Sequence, residues 1–278
     1  MFSIDNRAIA MHSQTQSAAI ITGGGRGIGR AITLSLARDQ ALVVVGRTEA
    51  DLRQVCAEVL ANGGLALPCV GDVADPGTAN AALALVQAQG WSLKHLVCNA
   101  GIGKSGASEA LETLDWLRVF DVNVHGCFHM VRACLPELLK GPGSAVSIIS
   151  SLAGVQGVAF DAAYTASKHA LVGFARALAL EYRKRGLTVA ALCPGFIESD
   201  MTMRSIRGVM RRQALTERAA RERIASRNPA RRILPAEEIA EVIALLGAQN
   251  LAAARALAAL GAYPILGSPE LSRSRLVE

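Results

Sequence analysis

The sequence predicts an α/β fold, a doubly wound parallel sheet with helices on both faces. Short apolar runs alternate with longer stretches of helical periodicity, which is the pattern of repeated βα units. The composition is 51% hydrophobic but only 4% aromatic, so the core must consist of Ala, Val, Leu and Ile, which suits buried parallel strands. A chain of 278 residues can bury one large core, so we expect a single domain.

The alternation defines six candidate strands and six candidate helices. The strands are predicted at Ala18–Thr22, Ala41–Gly46, Ala66–Val70, His95–Asn99, Ser144–Ser150 and Leu187–Leu192. The helices are predicted at Gly27–Asp39, Glu49–Asn62, Asp75–Gln89, Thr113–Lys140, Ala162–Arg185 and Pro235–Gly247. In such sheets ligands bind outside the carboxyl ends of the strands. The residues just after each strand are therefore the candidate site residues.

The ends of the chain differ from the rest. Residues 1–16 form a polar leader, residues 17–250 contain the βα pattern, and residues 251–278 are an atypical terminal segment. No segment has the roughly 18 consecutive apolar residues that a membrane-spanning helix needs, and no signal-peptide pattern begins the chain. The six cysteines and five histidines show no metal-binding spacing. We expect a cytoplasmic protein without a metal site or membrane association.

The positive charge is confined to one segment. The chain carries a net charge of +6, but ten arginines lie between Arg204 and Arg232, against only Glu217 and Glu222 as acids. This segment has a charge of +8, which leaves 6 − 8 = −2 for the remainder. Helical spacing would pair Glu217 with Arg221 and Glu222 with Arg218. Because no nucleic-acid-binding module accompanies the arginines, we expect no nucleic acid partner.

A glycine-rich turn follows the first predicted strand and opens a helix. It consists of Thr22, Gly23, Gly24, Gly25, Arg26, Gly27, Ile28 and Gly29. Glycines allow a tight turn and a close approach to pyrophosphate, whose charge the helix N-terminus favours. The spacing GxxxGxG differs from the common GxGxxG pattern. The turn therefore predicts a Rossmann-like dinucleotide site, with a merely structural turn as the alternative.

The second strand ends with Gly46-Arg47, where dinucleotide-binding folds that use NAD place an acid. Arg47 and Arg26 offer two cations to a 2′-phosphate. We therefore expect NADP as cofactor, the alternative being two solvated arginines.

A tyrosine and a lysine lie one helical turn apart after the fifth strand. Tyr164 and Lys168 share a helix face, and an ammonium there would lower the phenol pKa from about 10 toward the working range of a general acid or base. Ser151, just past the fifth strand, could hold a developing oxyanion. Ser150 is the competing serine. These residues predict proton transfer to or from a substrate oxygen.

These motifs together resemble the short-chain dehydrogenase/reductase family, especially its 3-oxoacyl-thioester reductases. The resemblance covers about residues 18–246 in family order. Besides the glycine turn, the matching elements are Asp72-Val73, Cys98-Asn99-Ala100-Gly101, Asn123, Ser151, Tyr164 to Lys168, Cys193-Pro194-Gly195-Phe196-Ile197 and Arg232 to Ile239.

The resemblance implies a role for each matched position. Asn123, Ser151, Tyr164 and Lys168 would be catalytic, with Tyr164 exchanging the proton, Ser151 holding the oxygen, Lys168 binding the nicotinamide ribose and Asn123 supporting a water-mediated relay. The cofactor would also contact the glycine turn, Arg47, Asp72, Val73, Asn99, Ala100, Gly101, Pro194, Gly195 and Ile197. Residues 196–232 would form the substrate lid, and helices 113–140 and 162–185 would form a homodimer or homotetramer interface.

The chain departs from the family at its end. Residues 251–278 lack the family's closing strand motif, which puts the seventh strand in doubt, and a helix at Leu251–Leu260 is equally compatible with the composition. We expect an NADP(H)-dependent reductase of a ketone or 3-oxoacyl thioester. A sugar, steroid or cyclic alcohol dehydrogenase would share the catalytic residues. A non-catalytic NADP-binding regulator is the alternative from another class.

Overall fold

The computed structural model describes residues 16–228 and 230–253, and the backbone of residues 262–267. Its strands form one sheet in the order β3-β2-β1-β4-β5-β6-β7. The strands are β1 (Ser17–Thr22), β2 (Ala41–Gly46), β3 (Ala66–Val70), β4 (Ser92–Cys98), β5 (Ser144–Ile149), β6 (Leu187–Pro194) and β7 (Ala262–Gly267). The helices are α1 (Gly27–Leu36), α2 (Glu49–Ala61), α3 (Pro76–Ala88), α4 (Thr113–Phe120), α5 (Gly126–Leu138), α6 (Ala162–Tyr182), α7 (Asp200–Gln213), α8 (Glu217–Ala225) and α9 (Ala236–Gly247).

Both faces of the sheet are buried. Strand residues alternate between the two faces, so that Ala18 and Ile20 pack with α3, α5 and α6, whereas Ala19 and Ile21 pack with α1, α2 and α9. Strands β1 to β6 are parallel. The strand order reverses between β1 and β4, which opens a crevice at their carboxyl ends. The predicted doubly wound fold is confirmed.

The predicted helix Thr113–Lys140 is interrupted in the structure. Helix α4 ends at Phe120, residues Asp121–His125 form a π-helical turn, and α5 begins at Gly126. The apolar periodicity continues through this turn, because one wider turn shifts the pattern only slightly. The turn contains Asn123, one of the predicted site residues.

The last strand has the opposite direction to the others. Strand β7 pairs antiparallel with β6, from Val189 opposite Gly267 to Pro194 opposite Ala262. The seventh strand therefore forms without the family's closing motif, and it is an exception to the predicted parallel sheet. An edge strand can reverse because it has one neighbour. Residues 251–253 are helical, and the rest of the proposed helix Leu251–Leu260 lies outside the described residues.

Two features are absent from the described part of the chain. None of its helices is both long and apolar enough to cross a membrane. Its His, Cys, Asp and Glu residues form no cluster of three or more that could hold a metal ion. All six cysteines lie in this part, and each is buried with a free thiol.

His95 is a polar side chain in the centre of the sheet. It is 0% exposed, and its Nε2 lies 2.8 Å from Ser147 Oγ, while Nδ1 has no partner among the described residues. A Cβ at Gly247 would lie 2.6 Å from Nδ1, so the end of α9 closes over the ring. Burial lowers the pKa of His95 from 6.5 to about 4.

We predict that His95 makes folding sensitive to acid. Its folded pKa is below its unfolded pKa, so the unfolded chain binds more protons, and stability falls as the pH falls from 6.5 to about 4. The contribution is at most about 3 kcal/mol. The free energy of unfolding, measured by chemical denaturation across this pH range, should have a smaller slope against pH for His95→Asn than for the unchanged protein. The control is His169→Asn, because His169 is exposed and forms no ion pair with a described residue, so its replacement should keep the slope. An unchanged slope in His95→Asn would contradict this role.

Candidate active site

The glycine turn lies in the crevice between β1 and β4. Gly23 has a φ of 65°, and a Cβ at Gly29 would overlap the carbonyl oxygen of Gly23. Glycine at these two positions therefore lets the turn fold against α1. Arg26 occupies the N-cap position of α1, but its side chain makes no capping hydrogen bond. The first-turn N–H groups of α1 suit a pyrophosphate.

Thr22 and Asn99 connect the ends of β1 and β4. Thr22 Oγ1 accepts hydrogen bonds from the backbone N–H groups of Asn99 and Ala100, at 2.9 Å and 3.0 Å. Asn99 Nδ2 donates to the carbonyl oxygens of Thr22 and Gly23, at 2.9 Å and 3.2 Å. The side chain of Asn99 therefore supports the glycine turn. Sequence reasoning placed Asn99 along the cofactor but did not identify this support.

The far end of the crevice carries exposed cations. Arg26 and Arg47 are exposed, and neither pairs with a carboxylate of the described residues. Half-buried Ile28 lies in the first turn of α1. The close-packed glycines, uncapped helix N-terminus and two unpaired guanidinium groups fit the phosphates of a 2′-phosphorylated dinucleotide.

Asp72 and Val73 follow β3 beside these arginines. The carboxylate of Asp72 forms an ion pair with Arg118 of α4 and accepts the N–H of Ala74 at 3.0 Å. Burial would raise the pKa of Asp72, but these bonds and the charges of Arg118 and Arg47 lower it overall. Val73 is buried against Gly126, where a Cβ would lie 2.7 Å from Val73 Cγ2. Sequence reasoning missed Arg118, because this pair joins residues far apart in the chain.

Tyr164, Lys168 and Ser151 lie together at the near end of the crevice. Lys168 is 3% exposed, its Nζ donates to the carbonyl oxygen of Ile149 at 2.8 Å, and it lies 5.6 Å from the centre of the Tyr164 ring. Ser151 accepts the N–H of Ala153 at 3.1 Å. A Cβ at Gly101 would lie 3.4 Å from Lys168 Nζ, so glycine lets the loop after β4 approach the amine.

The pKa of Tyr164 shifts upward, in the direction opposite to the sequence expectation. Partial burial raises it, the hydrogen bond with Ser151 opposes the rise, and the charge of Asp161 adds to it. Burial also lowers the pKa of Lys168 from 10.5 to about 8, against the opposing influence of the Cys127 and Cys193 thiols. The expectation considered the lysine charge but not the removal of both groups from water. The surroundings that the chain itself provides therefore favour the protonated phenol of Tyr164.

Asn123 binds the loop after β4. It is 1% exposed, its Oδ1 accepts the N–H of Ile102 at 2.8 Å, and its Nδ2 donates to the carbonyl oxygen of Ile102 and to Ser167 Oγ, both at 2.9 Å. Ser150 donates to the carbonyl oxygen of Lys168 at 2.9 Å, so this competing serine supports α6. The proton relay assigned to Asn123 stays a prediction.

Asn228 is a further site residue that sequence reasoning missed. It is 2% exposed, accepts the N–H of Phe196 at 2.7 Å, and donates to the carbonyl oxygens of Phe196 and Arg232 at 2.8 Å and 2.6 Å. A Cβ at Gly195 would overlap its amide. Ile197 is buried and pairs with Leu234 in an isolated bridge. Asn228 thereby shapes the loop after Pro194.

The arginine-rich segment contains α7 and α8, which pack on each other. Their buried residues form a small separate core of Ile206, Val209, Ala220 and Ile224. The predicted pair Arg218–Glu222 is confirmed. The predicted pair of Glu217 with Arg221 is wrong, because Arg221 pairs with Glu198, which precedes α7.

The comparisons identify the class of protein. A family model for short chain dehydrogenase matches residues 17–209, and the chain belongs to this family of oxidoreductases. The chain is 37% identical to a 3beta-hydroxysteroid dehydrogenase from Mediterraneibacter gnavus, over 70% of this chain and 71% of that protein. It is 32% identical to the 3-oxoacyl-[acyl-carrier-protein] reductase FabG of Escherichia coli, over 84% and 91%. A crystal structure of actinorhodin polyketide ketoreductase with NADPH has a TM-score of 0.80, 33% identity and coverage of 86% and 92%.

We predict that Asn228→Ala destabilises the protein, because the partly buried N–H and carbonyl groups of Phe196 would lose their partners. The free energy of unfolding should fall by about 2–4 kcal/mol. Chemical denaturation measures this change. Asn80 is exposed, so Asn80→Ala should have little effect. Equal stability of the two variants would contradict the role of Asn228.

Proposed function

We propose that the protein reduces a ketone, and specifically a 3-oxoacyl thioester, with NADPH. The observation that carries this proposal is the grouping of Tyr164, Ser151 and Lys168 just beyond the end of β5. Lys168 Nζ lies 5.6 Å from the centre of the half-buried Tyr164 ring, and the phenol is hydrogen-bonded to Ser151, so a proton donor stands beside a hydroxyl that can hold the substrate oxygen. NADPH, when bound, supplies the hydride to the carbonyl carbon. Tyr164 donates its proton to the carbonyl oxygen, and Ser151 holds that oxygen. Lys168 holds the nicotinamide ribose.

Relatives support both the cofactor and the substrate class. The polyketide ketoreductase, whose fold matches this one, contains NADPH, and Arg26 and Arg47 suit its 2′-phosphate. The FabG relatives are named as reductases of 3-oxoacyl groups on acyl-carrier protein. The steroid dehydrogenase relative supports the alternative of a steroid or other cyclic alcohol.

We assign residues 17–250 to one catalytic domain. We place the enzyme in the cytoplasm, because its six cysteine thiols are unpaired.

We predict that Tyr164→Phe lowers kcat/KM for ketone reduction by at least about 100-fold, because it removes the proton donor. The Kd for NADPH, measured by fluorescence titration, should stay nearly constant. Tyr182→Phe is the control on the same helix. Assays with a panel of 3-oxo esters, thioesters, sugars and hydroxysteroids compare the substrate classes. A Tyr164→Phe variant with more than about a tenth of the activity would exclude this role, and turnover of hydroxysteroids alone would exclude the thioester.

The arginines of α7 support an anionic substrate. We assign residues 196–232 to the substrate lid. Arg204, Arg207 and Arg211 lie on one exposed face of α7, and none pairs with a carboxylate of the described residues. A thioester linked to a phosphate-bearing carrier would be attracted to this face.

We predict that kcat/KM for a CoA-linked 3-oxo thioester exceeds that for a neutral 3-oxo ester and falls more steeply with salt. Changing Arg204, Arg207 and Arg211 to Gln should remove the extra salt dependence. Arg53→Gln is the control, because Arg53 is an exposed arginine of α2 already paired with Glu49. Equal salt dependence for the two substrates would leave α7 as a solvated helix.

We also propose a homodimer or homotetramer formed through α4, α5 and α6. These helices expose Leu114, Leu117, Phe128 and Leu180, with Leu180 70% exposed. Apolar side chains that recur on neighbouring helices are typical of an interface between copies.

We predict a dimer or tetramer by light scattering at micromolar concentration. The double change Leu117→Asp and Leu180→Asp should shift it toward monomer, because it would bury charges at the interface. Leu60→Asp, at an exposed leucine of α2, should not. A monomeric unchanged protein would contradict the proposal.

A further inference from the structure

Asp72 lies between two arginines. Arg118 pairs with it from α4, and the charge of Arg47 acts on it from the end of β2. The backbone explains this closeness, because Gly46 and Val70 are paired at the ends of β2 and β3, and Gly71 N donates to Gly46 O at 2.8 Å. Arg47 and Asp72 thus follow two neighbouring strands at the same edge of the sheet.

The other carboxylates near Arg47 are placed differently. Glu49 pairs with Arg53. Asp51 packs against Gly25, where a Cβ would lie 3.0 Å from Asp51 Cβ. Asp72 is the carboxylate on which the charge of Arg47 is seen to act, so it could compete with a phosphate for Arg47.

Arg118 removes this competition. The ion pair with Arg118 engages one carboxylate oxygen of Asp72, and the N–H of Ala74 donates a hydrogen bond to the other. Arg47 has no ion pair with a described residue although Asp72 is near. Without Arg118, Asp72 would either attract Arg47 or repel the 2′-phosphate.

We propose that Arg118 is a positioning residue for the choice between NADPH and NADH: its ion pair with Asp72 keeps Arg47 available to the 2′-phosphate. This inference rests on the proposed role of Arg47. In this proposal Arg118 acts through Asp72 and not on the phosphate itself. The adenosine contacts are common to both cofactors, so the ratio of the two dissociation constants isolates the effect on the phosphate.

The experiment measures Kd for NADPH and for NADH with the full chain by fluorescence titration, so it is independent of turnover. The variants are Arg118→Gln, Arg118→Lys, Asp72→Asn, the double variant Arg118→Gln with Asp72→Asn, and Arg47→Asp. Asp51→Asn is the control for removing a nearby carboxylate. Melting temperatures verify that each variant is folded. As a second probe without nicotinamide, 2′,5′-ADP is compared with 5′-AMP.

We expect Arg118→Gln to reduce the preference for NADPH by about fivefold, the size of an exposed ion pair. Arg118→Lys should keep most of the preference. The double variant should restore it, because the competing carboxylate is then absent. The preference for 2′,5′-ADP over 5′-AMP should change in parallel.

Two results would overturn the inference. Equal weakening of NADPH and NADH binding by Arg118→Gln would make Arg118 only a structural support of Asp72. Loss of preference that the double variant does not restore would mean that Arg118 binds the phosphate directly. An Arg47→Asp variant that keeps the preference for NADPH would instead refute the proposed role of Arg47, which distinguishes that failure from the other two.

Discussion

The hydrogen bonds between Thr22 and Asn99 determine where the parts of the site lie. Strands β1 and β4 lead the chain to opposite sides at the point where the strand order reverses, so nothing in the sheet ladder closes the gap beyond their ends. The side chains of Thr22 and Asn99 close it with four hydrogen bonds to the backbone. The glycine turn extends from one side of this connection, and the loop that reaches Asn123 and Lys168 extends from the other.

The near end of the crevice, which we propose as the reacting end, depends on a buried lysine. Removing an ammonium group from water is costly, and the folded chain lowers the pKa of Lys168 rather than pairing it with a carboxylate. Its Nζ donates to the carbonyl oxygen of Ile149 at the end of β5, and the next residue, Ser150, donates to the backbone carbonyl of Lys168. The end of β5 thus holds both the amine and the backbone of Lys168. A carboxylate partner would have held the charge more firmly, but it would also have occupied the amine that we assign to the ribose.

The sequence predicts those features that depend on local spacing. The alternation of apolar runs correctly predicts six strands and the main helices, and the spacing of Tyr164 and Lys168 correctly predicts their closeness. The direction of β7 could not be predicted, because it depends on the end of β6 to which the chain returns. The pairs Arg118–Asp72 and Arg221–Glu198 join distant segments, which helical spacing cannot reveal. The direction of the Tyr164 pKa depends on burial, which requires the fold.

The two ends of the crevice differ in exposure to water: the cations at one end are exposed, whereas the polar groups at the other end are buried. At the far end of the crevice, where we propose that the 2′-phosphate binds, Arg26 and Arg47 are exposed, so they keep their hydration and could hold a charged group at little cost in stability. At the reacting end, Lys168 and Asn123 are buried, where a charge or dipole acts more strongly on a neighbouring group. Substitutions at the exposed end should therefore change cofactor choice while the core stays intact. Substitutions at the buried end should change chemistry and stability together, because the same hydrogen bonds that orient Asn123 and Lys168 also join the loop after β4 and the end of β5 to α6.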